Sequence, residues 1–388
     1  MAPSVDERVK VARARRRDAK TQSYTWWIAG TATTVLFACA AVIVSPDGGP
    51  FETPVNDASF IAHLQHNARW QAGEVPFFKG WTIGDVQRLS GIRVSNQGGI
   101  PECSLPEVDV PESFDARQRW PRCFPPVFEM GNCSASWALA AAASVSHRLC
   151  ISNRPSRLSA QQLLSCEREF GQGCDGGSLD TVWKYMKQSG LVTEHCFPYQ
   201  AADDVPCATC GTEEPNRVAS VCKVSTAGSI RREIFLNGPV LAPVMLMNDF
   251  LLYRGGIYQE TRTASQLVTP DRQRQLHAVT LLGWGIDGEQ EYWIIENSFG
   301  QGWGEDGYAK VKRDGVLLEE PGARPPNGRR TAAERPPNGR RTAAERPPNG
   351  RRTAAELPTG EYSVLRSMPR FVFAGTPANP KVLNFGGR

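Results

Sequence analysis

The order of local sequence patterns along the chain is the feature that most limits its fold. Residues 136–151 are rich in alanine and contain neither glycine nor proline, which predicts a helix that begins at Ser136. Far downstream, residues 278–285 and 292–295 are apolar runs bounded by glycine, a pattern typical of strands. The chain is therefore expected to place helices first and strands later.

The net charge divides unevenly along the 388 residues, of which 40% are hydrophobic, enough for a substantial core. Residues 1–23 carry seven basic and three acidic side chains, and residues 324–356 carry nine arginines and three glutamates. The total of +4 therefore leaves a net charge of −6 for the rest of the chain. A nucleic-acid-binding protein needs a basic surface on its folded part, so nucleic acid is not an expected partner.

The N-terminal region carries a membrane signal. Residues 25–46 contain no charged side chain and follow a cluster of basic residues within 1–23, which predicts a cytoplasmic N-terminal tail. The segment 24–46 is either a signal peptide cut after Ala40 or an uncleaved signal anchor. Its apolar run of about 20 residues favours the anchor, because signal-peptide cores usually span about 7–15 residues. Eleven cysteines indicate an oxidising compartment for the residues after 46.

Three segments together carry a family resemblance. Residues 131–139 read Gly-Asn-Cys-Ser-Ala-Ser-Trp-Ala-Leu, residues 276–279 read Leu-His-Ala-Val, and residues 296–304 read Glu-Asn-Ser-Phe-Gly-Gln-Gly-Trp-Gly. They resemble the nucleophile, histidine and asparagine segments of papain-family cysteine peptidases, in the cathepsin B-like branch. The resemblance implies an α+β, papain-like two-domain fold over residues 105–380, with a helical left domain, a β-barrel-like right domain and the active-site cleft between them.

The resemblance also assigns catalytic positions, and two of them have changed. Ser136 stands at the nucleophilic cysteine and Met130 at the glutamine that helps hold the oxyanion, while His277 and Asn297 complete the triad. A serine hydroxyl cannot form the ready anion that a thiol forms, so Ser136 would need His277 as a general base. An Asp-to-Asn change in a serine triad costs about 10⁴ in rate, and a lost oxyanion donor costs about 10²–10³. We therefore expect the triad to be inactive or nearly so.

Residues 47–104 are interpreted as a connector followed by a pro-segment. Phe60, Ile61, Leu64 and Trp70 recur at roughly helical spacing, and Trp-Gln-Ala-Gly at 70–73 resembles the short propeptide of cathepsin B. The resemblance implies that residues of about 58–104 lie across the cleft. The alternative is an ordinary amphipathic helix in a linker.

Further positions follow from the same resemblance. Gly176 and Gly177 are expected to bind an extended peptide through their backbone, and Trp303 to flank the primed subsites, whereas Phe299 replaces a tryptophan that usually shields the His–Asn bond. The implied disulfides are Cys123–Cys150, Cys133–Cys174, Cys166–Cys207 and Cys196–Cys210. Cys39 falls in the apolar span and Cys103 in the pro-segment, which leaves Cys222 odd. No metal site is expected, since Cys207 and Cys210 lack a second ligand pair, and no cofactor is expected.

Residues 324–356 are three identical copies of Arg-Pro-Pro-Asn-Gly-Arg-Arg-Thr-Ala-Ala-Glu. So few apolar residues cannot bury a core, which predicts a solvated insertion in a surface hairpin. Its arginines either bind an acidic surface or reflect a tolerated repeat expansion. The chain then resumes with a predicted final strand at 370–375 and ends in a tail at 381–388.

Two functional hypotheses remain from the sequence. The first is a non-catalytic, cathepsin B-like protein of the secretory pathway, in a lysosome or endosome, at the cell surface or secreted. It would bind peptides, cystatin-type inhibitors or partner proteases. The second is an active endopeptidase that uses Ser136, His277 and Asn297 slowly or with narrow specificity. A weaker third possibility makes the arginine-rich insertion the functional element.

Overall fold

The structure, a computed structural model, describes residues 52–89, 91–93, 100–169, 171–208, 210–211, 213–268, 275–313 and 372–377. The predicted tails at 1–23 and 381–388, the apolar span at 24–46 and the repeats at 324–356 lie outside these residues. Within the described ranges, no helix is both long enough and apolar enough to cross a bilayer.

Helices and strands alternate unevenly along the described chain. The α-helices are α1 (Ala58–Asn67), α2 (Ile83–Gln87), α3 (Ala116–Arg119), α4 (Ser136–Ile151), α5 (Ala160–Cys166), α6 (Leu179–Gln188) and α7 (Ala227–Asn237). The strands are β1 (Gln71–Ala72), β2 (Ile92–Arg93), β3 (Phe114–Asp115), β4 (Gly177–Ser178), β5 (Val218–Val224), β6 (Val240–Met245), β7 (Tyr253–Gly255), β8 (Ile257–Tyr258), β9 (Leu276–Asp287), β10 (Gln290–Glu296), β11 (Tyr308–Lys312) and β12 (Val372–Pro377). The helix expected at 136–151 and the strands expected at 278–285 and 292–295 are thus present.

One mixed sheet forms the later half of the domain. Its strand order is β5-β12-β6-β9-β10-β11-β8, and β3 pairs with β9. The neighbours β9 and β10 form an antiparallel hairpin in which Glu296 lies opposite Thr280. This hairpin places the residues just after β10 beside the start of β9, which matters for the site below.

Helix α4 packs between this sheet and the helical part of the fold. It is buried along nearly its whole length, and its run of alanines at 140–143 lets the helix backbone approach β9 closely. At its far end, the buried guanidinium of Arg148 meets the Glu233 carboxylate at 2.8 Å. The same guanidinium donates to the carbonyls of Gly238 and Pro239 at 2.8 and 2.7 Å, so this buried charge is fully paired. The α+β, papain-like architecture expected from the sequence is the one observed.

The described residues up to 104, which we call the N-terminal segment, fold onto the same domain. Helix α1 begins where the Asp57 carboxylate accepts a hydrogen bond from the Phe60 N–H at 2.7 Å. It ends at Asn67, so Trp70 lies beyond the helix, which corrects the expectation of one helical run through Trp70. Strand β1 then pairs with β7.

Five disulfides join the described cysteines. Four are the pairs that the resemblance implies, and the fifth joins Cys103 to Cys222. The pairing of Cys222, which the family pairs left open, is thus with Cys103. The fifth bond spans 119 residues and links the N-terminal segment to β5.

Candidate active site

Ser136 occupies the first position of α4 and is fully buried. The first N–H groups of a helix have no acceptor inside the helix, so this position adjoins unsatisfied donors. The Ser136 hydroxyl accepts a hydrogen bond from the Ala278 N–H at 3.2 Å, which ties the start of α4 to the start of β9. The helix therefore brings the serine directly beside the histidine strand.

His277 and Asn297 are held together by the β9–β10 hairpin. The His277 Nε2 lies 2.7 Å from the Asn297 Oδ1. The same oxygen accepts from the Ser298 N–H at 2.8 Å, which fixes the orientation of the amide. Because an amide oxygen only accepts, the proton of the imidazole sits on Nε2 and Nδ1 carries the lone pair. Asn297 thus sets the tautomer of the histidine without adding charge.

The serine and the histidine are neighbours but do not form a hydrogen bond. His277 Nδ1 is buried and has no hydrogen-bond partner among the residues that the structure describes. The amide nitrogen of Asn297 is likewise buried and unpaired within the described chain. A serine nucleophile must donate a hydrogen bond to the imidazole that removes its proton. The arrangement brings together the three side chains without the bond that activates a serine.

Burial also makes His277 a weak base. Desolvation lowers the pKa of His277 from 6.5 to about 4, and the hydrogen bond that His277 donates to Asn297 opposes this shift only in part. The imidazole is therefore neutral at neutral pH. A neutral histidine cannot supply the imidazolium that holds a thiolate, and a base of such low pKa takes a hydroxyl proton poorly.

Met130 reaches the site through a short antiparallel contact with residues 298–300. Its N–H donates to the Ser298 carbonyl at 2.9 Å, and its own carbonyl accepts from the Tyr199 hydroxyl at 2.8 Å. The Met130 sulfur lies 3.7 Å from the Ser298 hydroxyl and is the acceptor of that contact. A thioether has no hydrogen to donate, so this side chain cannot stabilise an oxyanion by hydrogen bonding.

Gly176 and Gly177 contact the N-terminal segment through their backbone. The Gly177 N–H donates to the Gly91 carbonyl at 2.8 Å, and β2 pairs with β4 in parallel. Gly176 has φ of 107°, which favours glycine, and a Cβ there would lie 2.8 Å from the Gly91 carbonyl oxygen. The two glycines thus form a surface against which an extended chain lies, next to Ser136.

An aromatic cluster covers the other side of the triad. The Phe299 ring lies 4.8 Å from the His277 ring, measured between centroids. Phe77 and Phe78 of the N-terminal segment lie 5.4 and 5.1 Å from Phe299 in the same measure. Phe299 therefore shields the histidine, and the segment shields Phe299.

Trp303 lies beside Phe299. Its side chain is fully buried and its indole N–H donates to the Phe250 carbonyl at 3.3 Å. The ring packs on Phe250 and Tyr253 at 5.0 and 5.4 Å, and its centroid lies 5.7 Å from that of Phe299. The role of Trp303 beside the primed subsites stays a prediction.

Two features of the site escaped the sequence reasoning. Glu296, directly before Asn297, pairs with the buried His147 of α4 at 2.7 Å and anchors the end of β10. Gly91 lies against the nucleophile position, with a potential Cβ only 3.1 Å from the Ser136 hydroxyl. Nothing in the sequence around Gly91 predicts this contact with Ser136. The pairing of Cys103 with Cys222 could have been inferred from parity, since both remained once the four family pairs and Cys39 were set aside.

The geometry agrees with comparisons to known proteins. Residues 110–319 match the family model described as "Papain family cysteine protease". The chain is 31% identical over 280 residues to "Cathepsin B-like CP3" of Giardia intestinalis, which covers 68% of this chain and 91% of that protein. It is 35% identical over 292 residues to the human "Tubulointerstitial nephritis antigen-like", covering 64% of this chain and 62% of that protein.

Solved structures give the same fold. "proCathepsin B S9 from Trypanosoma congolense" superposes with a TM-score of 0.64 at 24% identity, over 84% of this chain and 99% of that one. A helical layer and a mixed sheet that bring a histidine and an asparagine beside a helix N-terminus define a papain-like peptidase scaffold. This chain belongs to the papain family of cysteine proteases and is a homologue of cathepsin B-like members of that family.

Proposed function

We propose that this protein is a catalytically inactive, or nearly inactive, cathepsin B-like peptidase homologue that acts by binding. The observation that carries the proposal is that Ser136 and His277 share no hydrogen bond: the serine hydroxyl accepts from the Ala278 N–H, and the imidazole Nδ1 has no partner in the described part of the chain. The neutral Asn297 and the thioether of Met130 support it, because neither stabilises charge that develops during acyl transfer.

The proposed ligands are extended peptides, cystatin-type inhibitors or partner proteases. The backbone of Gly177 already holds one extended strand by a hydrogen bond, which supports peptide binding at this edge. In this proposal the N-terminal segment is a pro-segment that occupies the cleft until it is displaced or removed. Likeness to proform structures such as the Trypanosoma congolense protein is consistent with that role.

The proposed location is the secretory pathway, with the final site a lysosome, an endosome, the cell surface or the extracellular space. Five disulfides among the described cysteines support an oxidising compartment. Membrane attachment through residues 24–46 is part of the proposal and concerns residues outside the described ranges.

One observation favours the alternative of an active endopeptidase. The lone pair of His277 sits on Nδ1, because the Nε2–H donates to the Asn297 Oδ1, so Nδ1 is the nitrogen available to accept the Ser136 proton in this site. A small rearrangement once the cleft opens would bring that nitrogen to the Ser136 hydroxyl. Slow or narrow hydrolysis through Ser136, His277 and Asn297 is therefore the second candidate.

A peptide-library assay separates the two. The full chain is incubated with the library beside a Ser136→Ala variant, and new peptide termini are measured by mass spectrometry. We expect the same background for both proteins. Cleavage by the parent chain that the Ser136→Ala variant lacks would refute the proposal that the protein is inactive. It would support an active endopeptidase that uses Ser136.

A further inference from the structure

The disulfide Cys103–Cys222 joins the N-terminal segment to the sheet at a place where the chain downstream is open to solvent. Cys103 lies at the end of the segment and Cys222 lies in β5. The bond lies outside the four pairs that the family resemblance implies. This bond therefore fixes the N-terminal segment to the domain and does not stabilise the wall of the cleft.

Backbone and side-chain contacts reinforce the bond on both sides. The Cys103 N–H donates to the Lys223 carbonyl at 2.8 Å, and the Lys223 N–H donates to the Pro101 carbonyl at 2.9 Å. The Ser225 hydroxyl donates to the Glu102 carboxylate at 2.6 Å. Residues 101–103 thus lie along β5 as a short added strand that the disulfide fixes in place.

The chain that follows has neither helix nor strand. Residues 104–112 are exposed or half-buried and carry no secondary structure until β3 begins at Phe114. Its described polar anchors are the ion pair of Glu107 with Arg232 and the Trp284 indole N–H donating to the Pro111 carbonyl at 3.0 Å. Leu105 and Val110 also pack, half-buried, against the core. Exposed, irregular chain of this kind is where endopeptidases cut folded proteins.

We infer that a cut between residues 104 and 112 leaves the N-terminal segment attached through Cys103–Cys222, so that one proteolytic event does not open the cleft. Hydrolysis adds one water across one peptide bond and yields two chains, while the disulfide upstream of the cut stays intact. The inference rests on the proposed function only in treating the segment as the cover of the cleft.

The disulfide changes how readily the cut N-terminal segment dissociates from the domain. The segment is held by buried aromatic contacts, including Trp70 at 5.2 Å from Tyr258 and Phe77 at 5.4 Å from Phe299, measured between ring centroids. A free fragment held this way dissociates when the solution is diluted. A tethered fragment rebinds at an effective concentration in the millimolar range for a short linker, whatever the protein concentration. Occupancy of the cleft is therefore independent of dilution as long as the disulfide is present.

The test uses the full chain with the recognition sequence of a site-specific protease inserted after Glu107. Three proteins are compared: this parent, the same chain with Cys103→Ser and Cys222→Ser, and a matched control with Cys196→Ser and Cys210→Ser. Each is cut, diluted to nanomolar concentration without reductant and analysed by size-exclusion chromatography and mass spectrometry. We expect the parent and the control to keep the fragment, and the Cys103→Ser, Cys222→Ser protein to lose it on dilution.

A second measurement covers the case in which the double variant fails to fold. The cut parent is weighed intact without reductant, and we expect a single mass, one water heavier than the uncut chain. Two separate masses would overturn the inference, as would retention of the fragment at nanomolar concentration by the folded double variant. Because fragment retention is read from mass and elution, it can fail or succeed whether or not the protein binds peptides or hydrolyses them.

Discussion

Replacing Gly91 with alanine tests whether the N-terminal segment closes the cleft through close backbone contact. A Cβ at Gly91 would lie 2.7 Å from the Ser134 carbonyl oxygen and 3.1 Å from the Ser136 hydroxyl. The first of these is a backbone atom just before the start of α4 and cannot move aside, so the segment must lift. Inserting a methyl group into a close-packed contact costs about 1–3 kcal/mol. That free energy corresponds to an increase of about 5- to 150-fold in the equilibrium constant for lifting the segment off the cleft.

The opening is read by chemistry at the nucleophile position. In a chain carrying Ser136→Cys, the rate at which iodoacetamide alkylates the introduced thiol reports how often the cleft opens, and mass spectrometry locates the label. Gly91→Ala in this background should raise the rate by about 5- to 150-fold. Gly228→Ala on α7 is the matched control, since its added Cβ meets nothing within 4 Å, and its rate should not change. An unchanged rate for Gly91→Ala, or an equal rise in the control, would refute the reasoning.

Three further outcomes are expected. Ser136→Cys alone should give weak thiol-dependent hydrolysis of a fluorogenic peptide, and adding Met130→Gln should raise kcat by about 10²–10³ because an oxyanion donor is restored; equal activity of the two variants would contradict the role given to Met130. Since the folded pKa of His277, about 4, is below its ordinary value of 6.5, the folded state loses up to about 3 kcal/mol as pH falls through that window. Urea unfolding at pH 7 and pH 4 should show a difference that His277→Gln reduces, and identical pH dependence in both proteins would disprove it. Glu233→Gln should destabilise the fold by about 3–5 kcal/mol, measured by the urea midpoint, because it leaves the buried Arg148 without its charge partner; a change below 1 kcal/mol would count against that account.

Local patterns predicted the parts of the fold that depend on local physics. The alanine-rich run at 136–151 has one strong preference, and α4 follows it from Ser136 to Ile151. The glycine-bounded apolar runs also have a strong local preference, for strand, and they form β9 and β10. Motif order then predicted that Ser136, His277 and Asn297 meet, and the hairpin of β9 and β10 explains why they do.

Other features depend on contacts that no local pattern encodes. The identity of Trp303 does not reveal how deeply its ring is buried, which is set by packing on Phe250 and Tyr253. The low pKa of His277 arises from burial by side chains far away in sequence, Phe299 among them. Both effects are set by tertiary packing, so a sequence can suggest the residues but not their environment.

The aromatic contacts that bury His277 also limit the activity that a new nucleophile at position 136 can have. Phe77 and Phe78 pack on Phe299, and Phe299 packs on His277, so the N-terminal segment covers the ring that lies against the histidine. While the segment is in place, the imidazole stays neutral and cannot stabilise a thiolate or receive a hydroxyl proton efficiently. Restoring a thiol without lifting the segment therefore restores the atom but only a small part of its activation, which is why Ser136→Cys alone is expected to be weakly active. Since Cys103–Cys222 holds the segment to β5, we expect the activity of any substituted triad to depend on that bond as well as on the residues at the site.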